Sequence, residues 1–229
     1  MDNQRPKIAI IDNSLDSSVY NPVRHWSYHL PQGFKIFKAQ NGTLPDLNEG
    51  FSHIILTGSE ASILDDYPWL TEEVKFIQEA ANNNIEILGS CYGHQLLALA
   101  LGGSKCIKRS EQPEVGWLPI QVKKDSLLLG KKGVIYSFAC HFDEVVNLGP
   151  EFDILASSAH CQIQAFKVKN KRIWGLQPHP EINVREARVC LQKLVSLDLP
   201  TSAYFKKALK QQPRDSGIVS RIVNGFLSL

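Results

Sequence analysis

The chain has 229 residues, 43% of them hydrophobic and 21% charged, with a formal net charge of +2. That length and composition suit one α/β domain with a sizeable core and exclude a disordered chain. The near-balanced charge offers no field for nucleic acid or an anionic membrane surface, so neither is expected as a partner.

The polar start Met1–Pro6 has no secretory apolar region, and no apolar run reaches the roughly 18–20 residues that span a bilayer. Five cysteines, Cys91, Cys106, Cys140, Cys161 and Cys190, are scattered without a CxxC pair. This usage fits reduced thiols in a cytoplasmic protein better than a disulfide framework.

Lys7–Asp12 is a short continuous apolar run, the pattern of a buried parallel strand, followed by a polar loop from Asn13 to Ser18. Phe34–Ala39 alternates and reads as a more exposed strand near an edge, and Ser52–Thr57 as a third strand ending in Gly58-Ser59-Glu60. Thr71 is the expected N-cap of a helix with Glu72 and Glu73 in its first turn, where acids suit the dipole. Val74, Ile77, Ala80 and Ala81 form its apolar face, and Asn82-Asn83-Asn84 closes it. A strand at Ile85–Leu88 and an apolar helix follow, so the first half alternates strand and helix as βαβ units of a parallel sheet.

In the second half, Trp117–Val122, Val134–Phe138, Asp153–Ser157, Gln162–Val168 and Arg172–Leu176 read as short strands of a mixed or antiparallel extension of that sheet. Val184, Ala187, Val189, Cys190, Leu194 and Val195 mark a helix from Asn183 to about Leu197, and a last helix near Ile218–Leu227 is expected to pack on the sheet. No repeat or linker divides the chain, which reads as a single domain over 1–229.

The stretch Gly89-Ser90-Cys91-Tyr92-Gly93-His94-Gln95 joins a strand to a helix with a cysteine at the corner. Glycines allow a sharp turn, and the free amides and dipole of the helix N-terminus favour a thiolate and stabilise an oxyanion beside it. Cys91 is therefore the candidate nucleophile. Such a thiol needs a base and a group to orient that base. Gln177-Pro178-His179-Pro180-Glu181 supplies both: Pro180 biases His179 to an extended conformation, and alternate residues of an extended segment share a side. His179 is the candidate base, with Glu181 fixing its tautomer.

These residues resemble the class I (triad-type) glutamine amidotransferases. The elbow matches their G-x-C-x-G-x-Q motif and Gln177–Glu181 their Q-x-H-P-E motif. Thr57-Gly58-Ser59 sits at their oxyanion loop, Glu114-Val115-Gly116-Trp117 resembles their E-x-G-W segment, and His141-Phe142-Asp143-Glu144-Val145 is similar to a segment of GMP synthase glutaminase domains. The likeness covers roughly residues 7–185, with C-terminal helices from about 183 to 229 beyond it.

The resemblance implies a flavodoxin-like fold, a mainly parallel sheet with helices on both faces. It implies that Cys91 attacks the side-chain amide of glutamine or of a γ-glutamyl compound, giving a γ-glutamyl thioester that water hydrolyses. By the same resemblance, the amides of Gly58 and Tyr92 form the oxyanion hole, and Gln95 and Asp143 hold the substrate's amino-acid end. No cofactor or metal is implied, and the released ammonia passes to a separate synthetase. This chain departs from the family at Glu60-Ala61-Ser62, where the loop is usually richer in glycine and proline, and at Cys140, where GMP synthases commonly carry serine. A stand-alone γ-glutamyl peptidase and a non-catalytic regulatory module are the alternatives.

Other features read as structural. Cys106 and Cys190 look like filler and Trp69 like a packing anchor. His160-Cys161 is expected on a strand with its two side chains on opposite faces. His141, Asp143, His179 and Glu181 lack metal-site spacing.

Overall fold

The computed structural model describes residues 6–228; Met1–Arg5, read above as part of a polar start, lie outside the described residues. One sheet of nine strands, in the order β2-β1-β3-β4-β9-β8-β7-β5-β6, carries the fold. Its parallel part is β1 (Ile8–Asp12), β2 (Lys35–Lys38), β3 (His53–Leu56), β4 (Glu86–Ser90) and β9 (Ile173–Leu176). The antiparallel part is β5 (Ile107–Val122), β6 (Gly133–Val145), β7 (Phe152–Ser157) and β8 (Ala165–Val168). The 2-1-3-4 order continued by β9 is that of doubly wound sheets, which bind ligands at the carboxyl ends of the parallel strands.

The strands β1, β3 and β9 are apolar apart from Asp12 at the end of β1 and His53 at the start of β3, because both faces are covered. On one face α2 (Leu70–Asn82) and α3 (Tyr92–Gly102) pack Ile77 and Leu96 against Ile54 and Ile87. On the other, α1 (Pro22–Ser27) and α6 (Val219–Leu227) set Trp26 and Phe226 against Ile10, Ile55 and Trp174. A third apolar cluster joins α4 (Val184–Ser196) and α5 (Ser202–Leu209) to Trp117 and Phe138 on the antiparallel arm. The mainly parallel sheet, the helices on both faces and the antiparallel extension are as the sequence led one to expect, and β2 is indeed an edge strand.

Several local expectations are corrected. The second helix begins at Leu70 with Trp69 at the N-cap, so Thr71 lies inside the first turn and caps nothing. Glu73 in that turn is fully buried rather than solvated. β5 starts ten residues before Trp117 and β6 continues past Phe138, because each completes the other's hydrogen bonds around an irregularity between Arg109 and Glu114. Val189 is exposed, and Leu191 takes the buried position on α4. His160 and Cys161 lie in a bend between β7 and β8 rather than on a strand. α1 and α5 had no counterpart in the sequence reading; Asn21, whose side chain accepts from Arg24 N, and Pro22 at the first helical position were the available signal for α1.

Candidate active site

The loops leaving β1, β3, β4 and β9 converge at one end of the sheet. Between β4 and α3 the chain turns at Cys91, which takes φ 49° and ψ −105°. A non-glycine residue in such a conformation costs on the order of 1–3 kcal/mol and persists only where its surroundings hold it. Here the Cys91 N–H donates to Leu176 O at 2.8 Å on β9, and its carbonyl accepts from Gln95 N at 3.1 Å. The turn therefore belongs to the cysteine and not to its glycines. What the glycines provide is clearance: a Cβ at Gly89 would lie 2.3 Å from Gly93 O, and one at Gly93 would lie 2.3 Å from Leu56 O.

Past β9, the Gln177–Glu181 segment is not extended as expected. Ile182 N donates to His179 O at 3.3 Å, closing a turn. The pairing of the two side chains survives this, with His179 Nδ1 2.9 Å from Glu181 Oε1. The His179 N–H donates to Phe138 O at 2.8 Å, which ties the segment to β6. Both side chains are buried, and Cys91 and His179 line the same cavity. Burial opposes a charge on the His179 ring, but the Cys91 sulfur and then the Glu181 carboxylate overcome it and lift the pKa to about 10. With Nδ1 engaged by Glu181, Nε2 is the nitrogen left to exchange a proton with a thiol. The arrangement is that of a nucleophile, a base and an orienting carboxylate.

Among the described residues, no protein acceptor is found for the amides of Gly58 or Tyr92, so both donors remain available. Gly58 is held close to the histidine: a Cβ there would meet His179 Cε1 and Tyr20 Oη, each at 2.8 Å. Gln95 lies inside the pocket wall, its side-chain amide donating to Asp143 O at 2.9 Å and Gln177 Oε1 at 3.3 Å. Asp143 accepts from Ser62 Oγ at 2.6 Å and pairs with Arg109 at 2.9 Å. Arg109, on β5, was not singled out in the sequence, and Ser62 was noted only as part of the loop that departs from the family; nothing in either local pattern shows that the two meet at the site.

The cavity in front of Cys91 has a volume of about 480 Å³. Gln95, Arg109 and Asp143 give it a polar side, while Val19, Leu194, Leu197, Leu199 and Phe205 give it a broad apolar one. Cys190, expected as filler, lines the cavity, and burial pushes its thiol up to about 11. Tyr20 is the other residue that the sequence reading passed over. Its hydroxyl lies 3.2 Å from both His179 Nδ1 and Glu181 Oε1.

Next to the cavity, whose wall includes His141, the residues Glu114, His141 and Cys161 each bring a ligand-type atom within 4.8 Å of the others. Those atoms are already committed. The Glu114 carboxylate accepts from Ser158 at 2.7 Å and from Gln164 at 2.6 Å, and faces His141 Nε2 at 3.2 Å. Burial lifts the Cys161 thiol to about 12, and its Sγ lies 3.6 Å from Ile163 O. This is a hydrogen-bond network in which Gln164 Oε1 is left without a partner among the described residues but the ligand-type atoms are engaged, and it is a poor metal site. His179 and Glu181 bond to each other, apart from this network.

The sequence and the fold both have known counterparts. The family model described as glutamine amidotransferase class-I matches residues 9–195. The chain is similar to a subunit of the glutamine-hydrolysing GMP synthase of Methanosphaera stadtmanae, with 30% identity over 165 residues, 72% of this chain and 87% of that protein. It is similar to the subunit of the same name from Methanocaldococcus jannaschii, with 41% identity over 123 residues, 52% of this chain and 63% of that protein, slightly under two thirds of its length. A crystallised glutamine amidotransferase from Thermotoga maritima superposes with a TM-score of 0.75 over 98% of this chain and 99% of its own, at 19% identity. One from Methylobacillus flagellatus gives 0.69 over 97% and 90%, at 22% identity. At those identities the structural likeness bears on the fold alone.

Proposed function

The chain belongs to the class I glutamine amidotransferases, and from that membership we propose that it hydrolyses the side-chain amide of glutamine with Cys91, His179 and Glu181 as its catalytic triad. The observation that carries this reading is the His179–Glu181 pair at 2.9 Å, buried on the same cavity as a cysteine at a strained strand–helix corner. His179 Nε2 holds the thiol's proton, and Cys91 Sγ attacks the amide carbon as the thiolate. The amides of Gly58 and Tyr92 hold the developing oxyanion, and one such donor is worth about 3–4 kcal/mol of barrier. His179 returns the proton to the departing nitrogen, ammonia leaves, and a γ-glutamyl thioester remains. Water activated by the same imidazole then cleaves the thioester. Gln95 and Asp143, with Arg109 beside them, receive the substrate's α-amino and α-carboxylate groups.

The acceptor of the ammonia is a separate synthetase; the relatives named as subunits of GMP synthase support this. The work takes place in the cytoplasm, a reading supported by free cysteines throughout the described chain. Among the described residues no helix is long and apolar enough to cross a membrane. Residues 1–229 act as one domain, as the single continuous sheet suggests.

The test is glutamate and ammonia release from glutamine, alone and with candidate synthetases, using Cys91→Ala as control. Release that is lost in the control supports the reading; no release under any condition overturns it. One observation favours a second reading, a γ-glutamyl amide larger than glutamine. The apolar side of the cavity, with Leu194, Leu197 and Phe205, offers a surface that the polar groups of glutamine do not need. Turnover of N-substituted γ-glutamyl amides in preference to glutamine would select it.

A further inference from the structure

We propose that Tyr20 is a positioning residue for the triad, its hydroxyl holding the Glu181 carboxylate against His179 and limiting how strongly that carboxylate acts on the ring. The proposal rests on the triad assignment above. It adds a residue that no motif contains, contributed by the loop between β1 and α1.

Tyr20 is buried, and its Oη lies 3.2 Å from Glu181 Oε1, the same oxygen that faces His179 Nδ1 at 2.9 Å. One carboxylate oxygen thus meets two donors, while Glu181 Oε2 is buried with no partner of its own among the described residues. The phenol is a lasting donor: burial, and then the Glu181 charge, push its pKa well above the ordinary tyrosine value. Its ring also meets the imidazole edge-on, with centroids 5.6 Å apart and an interplanar angle of 81°, which restricts rotation of His179.

The loop that carries Tyr20 is itself anchored to the site. Glu60, in the segment after Gly58, accepts from Leu15 N at 2.9 Å and Asp16 N at 3.2 Å. Lys193 on α4 donates to Ser18 O at 2.5 Å. Tyr20 Oη also stands where a side chain at position 58 would begin. One hydroxyl therefore touches the base, its orienting carboxylate and the oxyanion loop together.

A donor on Glu181 draws negative charge off the carboxylate that stabilises the imidazolium. Removing the hydroxyl should raise the pH at which His179 loses its proton, and strengthening the donor should lower it. The ionisable groups around the pair are Cys91 at the start of α3, His25 on α1, Cys140 on β6, and Cys190 and Glu186 on α4. None of them changes in the variants below.

The experiment compares wild type with Tyr20→Phe and with a protein carrying 3-fluorotyrosine at position 20, whose hydroxyl is more acidic and so a stronger donor. The first readout needs no substrate: the titration midpoint of the His179 imidazole nitrogens by NMR, assigned with His179→Gln. The second is the steady-state hydrolysis of glutamine. The expected result is a midpoint raised by about half a pH unit in Tyr20→Phe and lowered in the fluorotyrosine protein. In Tyr20→Phe kcat should fall about 3- to 30-fold, with KM within about twofold. Should Tyr20→Phe not fold, the fluorotyrosine protein decides alone. Midpoints unmoved in both variants, or moved in the same direction, would overturn the proposal. Midpoints moved as stated in a protein that hydrolyses no glutamine would leave the role of Tyr20 standing and overturn the glutaminase reading instead.

Discussion

The carbonyl oxygen of Gly93 lies where a Cβ on Gly89 would have to approach within 2.3 Å of it. Neither partner can yield, since both belong to the backbone of the corner that presents Cys91. Gly89→Ala should therefore destabilise the protein by about 3 kcal/mol or more, at the upper end of the range for overpacking. Gly103→Ala is the matched control. Its φ of +89° strains any side chain, but nothing lies within 4 Å of the added carbon, so about 1–2 kcal/mol is expected. Urea unfolding of the two variants checks the order.

Glu73 carries the clearest stability signal outside the site. Burial raises its carboxyl from 4.5 to about 8, offset only in part by Asn13. A native pKa above the unfolded one makes its contribution most favourable below pH 4.5 and progressively worse as pH rises towards 8. Glu73→Gln removes that penalty. At pH 8 the variant should be more stable than wild type by about 2 kcal/mol or more, and the advantage should vanish near pH 4. Thermal unfolding across that range measures it; a constant difference would refute this account.

His179 also loses stability as pH rises, but by giving up a favourable charge rather than by gaining an unfavourable one. Its native pKa of about 10 lies above the unfolded 6.5, so the charged ring stabilises the fold fully below pH 6.5 and loses that contribution as pH rises to 10. The Cys91 sulfur is the largest favourable influence on the ring. In Cys91→Ala the decline in stability over this window should be visibly shallower than in wild type. Denaturant titrations at pH 6 and pH 10 are sufficient.

The network around Glu114 predicts indifference to metal. Its oxygens are occupied by Ser158, Gln164 and His141. Adding zinc or a chelator should leave the melting temperature unchanged. Glu114→Ala, which orphans those buried partners, should cost about 3–5 kcal/mol.

How much of this was legible in the chain divides along the range of the interactions. The runs around Ile10, Ile55 and Leu88 declare buried strands because a parallel sheet covered on both faces leaves few polar positions, and these fall at strand ends such as Asp12, His53 and Ser90. The Cys91 corner and the His179–Glu181 pair were readable for a related reason, since each is built within a few consecutive residues. The first half of β5 and the last of β6 were not, because strands that stabilise each other across a hairpin tolerate residues such as Lys108 and Glu111 that read as loop. Glu73 misled because an acid in a first turn is usually solvated. Tyr20 and Arg109 gave no signal, and Ser62 only as part of a loop that departs from the family, since what places each beside the site is a contact far away in sequence.

The position of β9 has a consequence for how the protein comes into being. It is the last strand among the described residues, yet it lies between β4 and β8, and its Leu176 carbonyl holds the amide of Cys91. A nascent chain extended only as far as β8 already contains the thiol but has neither the base nor the clamp on the corner. The reactive centre is thus completed by the most non-local step of sheet assembly, the kind that folds slowest. Synthesis itself keeps the sulfur unarmed until almost the whole domain has emerged.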